Sequence, residues 1–250
     1  MPTAVDHYDQ LLAAHYTWML GGDIAELAAG QTALLRDLAV SPGPSRLAVD
    51  LGCGSGAQSL ALAGLGFDPV LAVDTSRPLL AELARHAEAT APAVRPVHAD
   101  LRGALPAHTE PGSAAAIVCM GDTLTHLPTR QDVVSLLGDA ARALAGGGKL
   151  VLSYRDLTAP LTGTDRFIPV RATPDRIMTC FLEYWDESTV VVHDLIHVRS
   201  GDTWTLRTGS YPKLRVHPDW LAGECRSAGM DVVHNGTVPR GLRVIAAVKP

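Results

Sequence analysis

The chain is poor in aromatic residues: three Phe, four Trp and five Tyr make up 5% of its 250 residues. It has no basic surplus either. Net charge is −5 and the Lys and Arg residues are scattered, which argues against nucleic acid or an anionic membrane as partner. The four cysteines, Cys53, Cys119, Cys180 and Cys225, lie far apart and form no C-x-x-C pair, so reduced thiols in a cytoplasmic protein are the simpler reading. The opening Met-Pro-Thr-Ala-Val-Asp-His lacks the basic region and apolar core of a signal peptide. No apolar run approaches the length of a membrane span. Repeats and low-complexity tracts are absent too. Core material, in contrast, is plentiful: 47% of residues are hydrophobic, enough for one α/β domain of ordinary size.

The most informative stretch is Leu47-Ala-Val-Asp-Leu-Gly-Cys-Gly-Ser-Gly56. Leu47–Leu51 reads as a buried parallel strand, and 57–65 as the helix after it. Glycines between them let the backbone approach a ligand closely, and the helix N-terminus offers free N–H groups. The dinucleotide fingerprint is G-x-G-x-x-G. Here the order is D-x-G-x-G-x-G, with Asp50 at the mouth of the strand. An acid there repels a pyrophosphate and suits a ligand carrying an ammonium or a hydroxyl-rich sugar.

Strand and helix patterns then alternate. Strands are expected at 46–51, 69–74, 94–98, 114–120 and 148–154, and helices at 57–65, 76–90 and 130–145. That alternation predicts right-handed βαβ units in a parallel sheet with helices on both faces. Residues 5–40 read as helical with a break at Gly21-Gly22, where Asp23 and Glu26 form a capping box. Ser41-Pro-Gly-Pro-Ser45 is a hard stop before the first strand. Arg176–Tyr184, Thr189–Val198 and Thr203–Leu206 read as an antiparallel insertion. A helix at Pro218–Ala228 and strands near 231–237 and 241–248 close the sheet. The expected divisions are 1–45, an N-terminal helical cap; 46–155, the ligand-binding core; 156–216, an inserted antiparallel lid; and 217–250, the end of the core sheet.

The stretch around Asp50, Gly52, Cys53, Gly54 and Gly56 resembles motif I of class I S-adenosylmethionine-dependent methyltransferases. The resemblance implies a Rossmann-like, seven-stranded doubly wound sheet, S-adenosylmethionine as cofactor and S-adenosylhomocysteine as product. In such sheets ligands bind at the carboxyl ends of the strands. Asp74 and Thr75 then sit where the cofactor ribose is held, although Asp74 also reads as a helix cap. Asp100 matches the family's motif III and is expected to accept the adenine amine, with Leu101 packing on the ring. A solvated loop acid is the plainer account of Asp100.

Cys119-Met-Gly-Asp-Thr-Leu-Thr-His126-Leu-Pro128 is similar to the Gly-Asn-Ser-x-x-His-Leu segment of the glycine N-methyltransferase-like branch. Asp122 replaces Asn and Thr123 replaces Ser. Met120, Gly121 and His126 would then contact the cofactor, and His126 or Asp122 would serve as base for a protonated acceptor. A helix-start histidine satisfied by backbone is the alternative for His126. Ser153-Tyr-Arg155-Asp-Leu157 partly matches that branch's His-Arg-Asn-Tyr, whose arginine grips a substrate carboxylate. An ion pair with Asp156 or a lid residue explains Arg155 equally well. Thr208-Gly-Ser-Tyr211-Pro212 resembles Ser-Tyr-Tyr-Pro beside the acceptor pocket. The branch's arginine for the cofactor carboxylate has no counterpart near Asp23–Leu27. Tyr16 and Trp18, in an aromatic cluster with Tyr8 and His15, are either acceptor contacts by cation–π attraction or core.

A metal site is not expected. His193 and His197 share a strand face, but Asp194 points to the other and no third ligand follows. Three functions fit. The first is N-methylation of a small carboxylate-bearing amine, from Arg155 and Tyr211. The second is O- or C-methylation of a secondary metabolite, and the third is a non-catalytic cofactor sensor. The partner is expected to be a small-molecule acceptor, with a homo-oligomer possible.

Overall fold

The computed structural model describes residues 3–238 and 241–250, so Met1 and Pro2 of the opening heptapeptide lie outside the described residues. Short pieces lead the chain: α1 (Ala4–His7), a π turn at Tyr8–Leu12, a 3-10 turn at Ala13–His15 and α2 (Tyr16–Leu20). These pieces, residues 3–20, form a strap. Helix α3 (Ile24–Asp37) follows the glycine break. The core then runs β1 (Leu47–Leu51), α4 (Ala57–Gly64), β2 (Val70–Asp74), α5 (Arg77–Ala87), β3 (Val94–His98), α6 (Ala104–His108), β4 (Ala114–Cys119), α7 (Arg130–Ala143) and β5 (Leu144–Arg155). Strands β6 (Phe167–Thr173), β7 (Arg176–Tyr184), β8 (Thr189–Ser200) and β9 (Thr203–Leu214) come next. Helix α8 (Pro218–Ser227), β10 (Asp231–Val238) and β11 (Leu242–Val248) complete the chain.

Seven strands form one sheet in the order β10-β11-β5-β4-β1-β2-β3. The five strands from β5 to β3 are parallel; β11 pairs antiparallel with β5, and β10, antiparallel to β11, runs in the same direction as the other five. The alternation predicts its parallel βαβ part, and the whole is the Rossmann-like, seven-stranded doubly wound sheet that the resemblance implies. Helix periodicity explains its two faces. Val133, Leu136, Leu137, Ala140 and Ala141 bury one stripe of α7 against β4, β5 and α8. Leu79, Leu80, Leu83 and Ala87 bury one stripe of α5, most of it within a second core with α4 and α3. Strand β4, Ala-Ala-Ala-Ile-Val-Cys, is buried along its whole length, as a central parallel strand must be.

The antiparallel insertion is a four-stranded sheet in the order β6-β7-β8-β9. Strand β6 has no counterpart in the sequence reading, since Pro169 and an exposed flank hide its pattern. Strand β9 extends through Tyr211 and Pro212 to Leu214, well past Leu206. It tolerates Pro212 because it is an edge strand, where a missing N–H costs no ladder bond. The short α6 was not expected either. The break expected in the helical stretch 5–40 falls at Gly21 and Gly22, which take positive φ; before it a π turn and a 3-10 turn divide the strap further. At α3, Asp23 accepts from the amides of Ala25 and Glu26, but Glu26 makes no return bond, so the expected box is half formed.

Complete capping boxes occur at Thr3/Asp6 and Thr129/Asp132. Thr129 starts the helix that backs β4. Thr129→Ala is expected to lower unfolding free energy by about 1 kcal/mol in urea titrations, with the m-value unchanged.

Candidate active site

The chain leaves β1 through Gly52, Gly54 and Gly56, all at positive φ. None of these positions has room for a Cβ. One at Gly52 would collide with Thr123, one at Gly56 with Leu83, and one at Gly54 would lie 2.7 Å from Tyr16 Cε1. The turn is pinned to β2. The amides of Gly52 and Cys53 donate to Val73 O at 2.8 and 3.0 Å, and Gly54 N–H donates to Asp74 Oδ2 at 2.8 Å. Asp74 Oδ1 accepts from Ser76 N–H at 2.8 Å. Asp74 is therefore both cap and cavity wall. Burial raises its pKa, against the pull of these amides.

A cavity of about 310 Å³ opens above this turn, at the carboxyl ends of β1, β2 and β3. Of the expected residues, the structure brings Tyr16, Gly52, Gly54, Asp74, Thr75, Asp100, Leu101 and His126 to its wall. Thr3, Ala4, Val5 and Tyr8 of the strap close it from above. Beyond Asp100 it meets a more open groove lined by Asp9, Arg77 and His98. Asp100 is clamped by Arg102, with Oδ2 2.6 Å from Nη2. That hydrogen bond holds its carboxyl below the usual range and leaves fewer lone pairs for a ligand amine.

Asp50 is not on the cavity wall. Its carboxylate lies beneath the turn, 1% exposed, and accepts from Ser59 Oγ of α4 at 2.6 Å. Ser59 supplies the partner that a buried carboxylate requires. Burial pushes Asp50 up to about 7, and the nearby Asp74 adds to this. Cys53, Met120 and Gly56 are also absent from the wall. The first two are packed in the core of the α3–α5 face, and Gly56 is the site of close approach by Leu83.

The turn after β4 carries the second half of the site. Asp122, at φ 82, is one of two non-glycine residues with positive φ among those described. Its Oδ2 accepts from Lys213 Nζ at 2.8 Å and its Oδ1 from the Arg155 N–H at 2.8 Å. Burial works against its charge, but Lys213 and the Arg155 amide outweigh burial and set the carboxyl at about 2. Gly121 N–H donates to Ser153 Oγ at 2.9 Å, away from the cavity. His126 stacks on Tyr211 at 5.2 Å and meets Tyr8 edge-on at 5.7 Å. Its Nδ1 is buried without a partner, so satisfaction by backbone does not hold for that nitrogen. Burial and then the Lys213 charge push the imidazole down to about 3. A ring that releases its proton at about 3 is a weak base, and Asp122 is committed to Lys213. Neither fits the general-base role expected of it.

Three acceptor candidates lie off the wall. Trp18 is sandwiched by the guanidinium groups of Arg171 and Arg176 at 5.6 and 4.9 Å. Arg155 points its half-exposed guanidinium past Asp122, Nε to Oδ2 3.6 Å, rather than into the cavity or towards Asp156. Tyr211 is buried between His126 and His7, whose rings lie 5.2 and 4.5 Å away.

Sequence reasoning missed Lys213, His7 and Asp194. His7 Nε2 donates to Asp194 Oδ2 at 2.7 Å, both groups nearly inaccessible, which ties the strap to β8. A Cβ at Gly209 would lie 2.5 Å from His7 Nδ1, so a glycine in β9 makes the seat for that ring. The signal for Lys213 was its place two residues from Tyr211, on the same strand face. His193 pairs with Glu183 on the opposite face from Asp194, and no cluster of three potential metal ligands occurs among the described residues. No described helix is long and apolar enough to cross a membrane.

The Asp50 environment has a thermodynamic consequence. The folded state holds this proton more tightly than the unfolded chain does, so stability falls as pH rises from about 4 through about 7. Asp50→Asn removes that fall. In parallel urea titrations the variant should gain about 2–3 kcal/mol on wild type between pH 5 and pH 8. A gap independent of pH would show that Asp50 titrates normally.

Residues 48–148 match a family model described as a methyltransferase domain. No curated protein sequence matches the chain. Among solved structures it is similar to the CcbJ methyltransferase from Streptomyces caelestis, with TM-score 0.79, 19% identity, and 97% of this chain and 98% of that one covered. It is also similar to CalS10, an amino pentose methyltransferase from Micromonospora echinaspora, with TM-score 0.71, 18% identity and coverage of 96% and 97%. A third is the sugar N-methyltransferase KedS8 from Streptoalloteichus, with TM-score 0.69, 18% identity and coverage of 92% and 89%. At these identities the likeness is one of fold. The matched segment contains the glycine turn, Asp74, Asp100 and His126, so the methyltransferase domain of this chain carries the candidate site.

Proposed function

We propose that the protein methylates the amino nitrogen of a small molecule. His126 carries the reading. Its imidazole lines the cavity, stays neutral at physiological pH and is held too low to act as a strong base. A hydroxyl acceptor needs a base to expose its lone pair, whereas an uncharged amine already presents one. S-adenosylmethionine, when bound, supplies a sulfonium methyl for that lone pair to attack.

The chain's own residues bind, align and exclude water. At Gly52 and Gly54 positive φ and the close approach of Thr123 and Tyr16 exclude a side chain, so bare backbone forms this part of the cavity wall, which fits a cofactor lying directly against the turn. We assign the cofactor's methionine end to this cradle with Tyr16, its ribose to Asp74 and Thr75, and its adenine to Asp100 and Leu101. Tyr8 and Tyr16, both on the cavity wall, stay uncharged because burial raises their pKa, so they offer π faces to a cation rather than phenolates. The strap closes over the cavity and keeps water out. KedS8, described as a sugar N-methyltransferase, supports nitrogen as the acceptor atom, and CalS10, described as an amino pentose methyltransferase, supports an amine-bearing acceptor. A cytoplasmic setting accords with four free thiols, all held protonated by burial.

A carboxylate on the acceptor is the weaker part of the original expectation, because Arg155 is turned towards Asp122. Release of S-adenosylhomocysteine across a panel of amino sugars, amino acids, simple amines and phenols tests both parts. Turnover on amines is expected, with kcat/KM rising with pH along the ammonium ionisation of each acceptor. Arg155→Ala should change KM less than about twofold on acceptors without a carboxylate. Turnover confined to phenols would overturn the nitrogen reading. A sharp rise in KM for amino acids alone would restore the carboxylate grip.

Gly54→Ala tests the cradle separately. Its methyl meets the Tyr16 ring at a backbone conformation unfavourable to alanine. It should weaken S-adenosylhomocysteine binding by at least about tenfold in calorimetry while the protein stays folded. Unchanged affinity would remove the turn from the site.

A further inference from the structure

Resting on the reading above, we propose that Lys213 is a positioning residue for methyl transfer: through Asp122 it fixes the turn from Gly121 to His126 and orients the His126 imidazole on the cavity wall. Three observations converge on it. Lys213 lies on β9 of the second sheet, yet its ammonium is buried against a turn of the first, 2.8 Å from Asp122 Oδ2. Asp122 holds a left-handed backbone conformation that a non-glycine residue adopts only when its surroundings impose it. What imposes it is this carboxylate anchor, with Arg155 N–H on the other oxygen and Asp122 N–H donating to Ser153 O at 3.0 Å. Thr125 Oγ1 then donates to Asp122 O at 2.7 Å, carrying the constraint to the residue next to His126.

The same strand face delivers a second contact. Tyr211, two residues before Lys213, stacks on His126 at an interplanar angle of 22°, and the Lys213 ammonium lies 5.7 Å from the Tyr211 ring centre. One edge of the second sheet thus grips the catalytic turn twice, once by charge and once by stacking.

Charge balance around His126 depends on the pair. The groups that face it are Asp122 on its own turn with Arg155 beyond, Tyr211 and Lys213 on β9, and His7 and Tyr8 on the strap. Asp122 favours an imidazolium, and Lys213 and His7 oppose it. With Lys213 removed, the buried Asp122 carboxylate keeps only the Arg155 amide and the half-exposed Arg155 guanidinium, Nε 3.6 Å away. His126 would then take up a proton and turn towards Asp122. A protonated ring on the cavity wall repels a sulfonium.

The experiment compares wild type with Lys213→Met and Lys213→Arg in the full chain. It reads the His126 imidazole by NMR across pH, with the signal assigned through His126→Gln, and kcat and KM on an amine acceptor. In Lys213→Met the His126 midpoint should rise by more than about one pH unit. At the pH of maximal wild-type turnover kcat should fall by about tenfold or more, because the turn has lost its anchor, with acceptor KM moved much less. Lys213→Arg should restore both. If the Met variant does not fold, Lys213→Gln, which keeps a donor for Asp122 without the charge, carries the same expectation. A folded variant whose midpoint or kcat stays at the wild-type value overturns the proposal. If no amine turns over while the midpoint still moves, the proposed function fails and the electrostatic hold on His126 is confirmed.

Discussion

Three side chains from three separate elements press on the glycine turn at the mouth of β1. Thr123 comes from the turn after β4, Tyr16 from the strap and Leu83 from α5. Each occupies the volume that a Cβ would need, so the cavity floor, the strap and the α5 packing all depend on the same absence of side chains. Close packing makes that dependence sharp, because a protein interior has no slack for one extra carbon. The turn also exposes backbone N–H groups and aligns them with Val73 O and Asp74. In this way a local constraint on φ becomes the shape of a binding site.

Around this turn the protein buries acids near a cavity suited to a cation, and it stabilises each differently. Asp50 receives only a hydroxyl and keeps a proton up to about 7. Asp74 receives two backbone amides. Asp122 receives a lysine and remains ionised down to about 2. Burial acts the same way on all three, and the partner decides the outcome. His126 shows the converse, since burial and a neighbouring ammonium keep its ring neutral.

The second sheet takes part in the site through side chains rather than backbone. His7 inserts from the strap against Gly209 and bonds to Asp194, while Tyr211 stacks between His7 and His126. Strap, inserted sheet and core turn therefore meet in one column of rings. Burying His7 and Asp194 together is tolerable because each satisfies the other, and either alone would leave an unpaired polar group in the core.

Much of this was legible along the chain. The D-x-G-x-G-x-G turn, the βα alternation and the amphipathic stripes of α5 and α7 depend on residues close in sequence, and period and turn chemistry report them directly. Asp74 and Asp100 were found because strand ends in such a sheet converge on one edge. The run from Thr208 to Pro212 read as a motif but not as a strand, because an edge position that spares Pro212 is a property of the whole sheet. The same limit applies to side-chain direction. Nothing near Asp50 announces that Ser59 draws it below the turn, nor that Arg155 turns to Asp122 and Trp18 to a pair of arginines. Local pattern suffices for the sheet, since backbone preference and hydrophobic period act over a few residues, and the resemblance of the glycine turn to a family motif pointed to the cofactor and reaction class. Long-range packing decides that Lys213 meets Asp122, that His7 meets Asp194 and that His126 loses its basicity, because burial and charge pairing arise only when distant segments share one low-dielectric space.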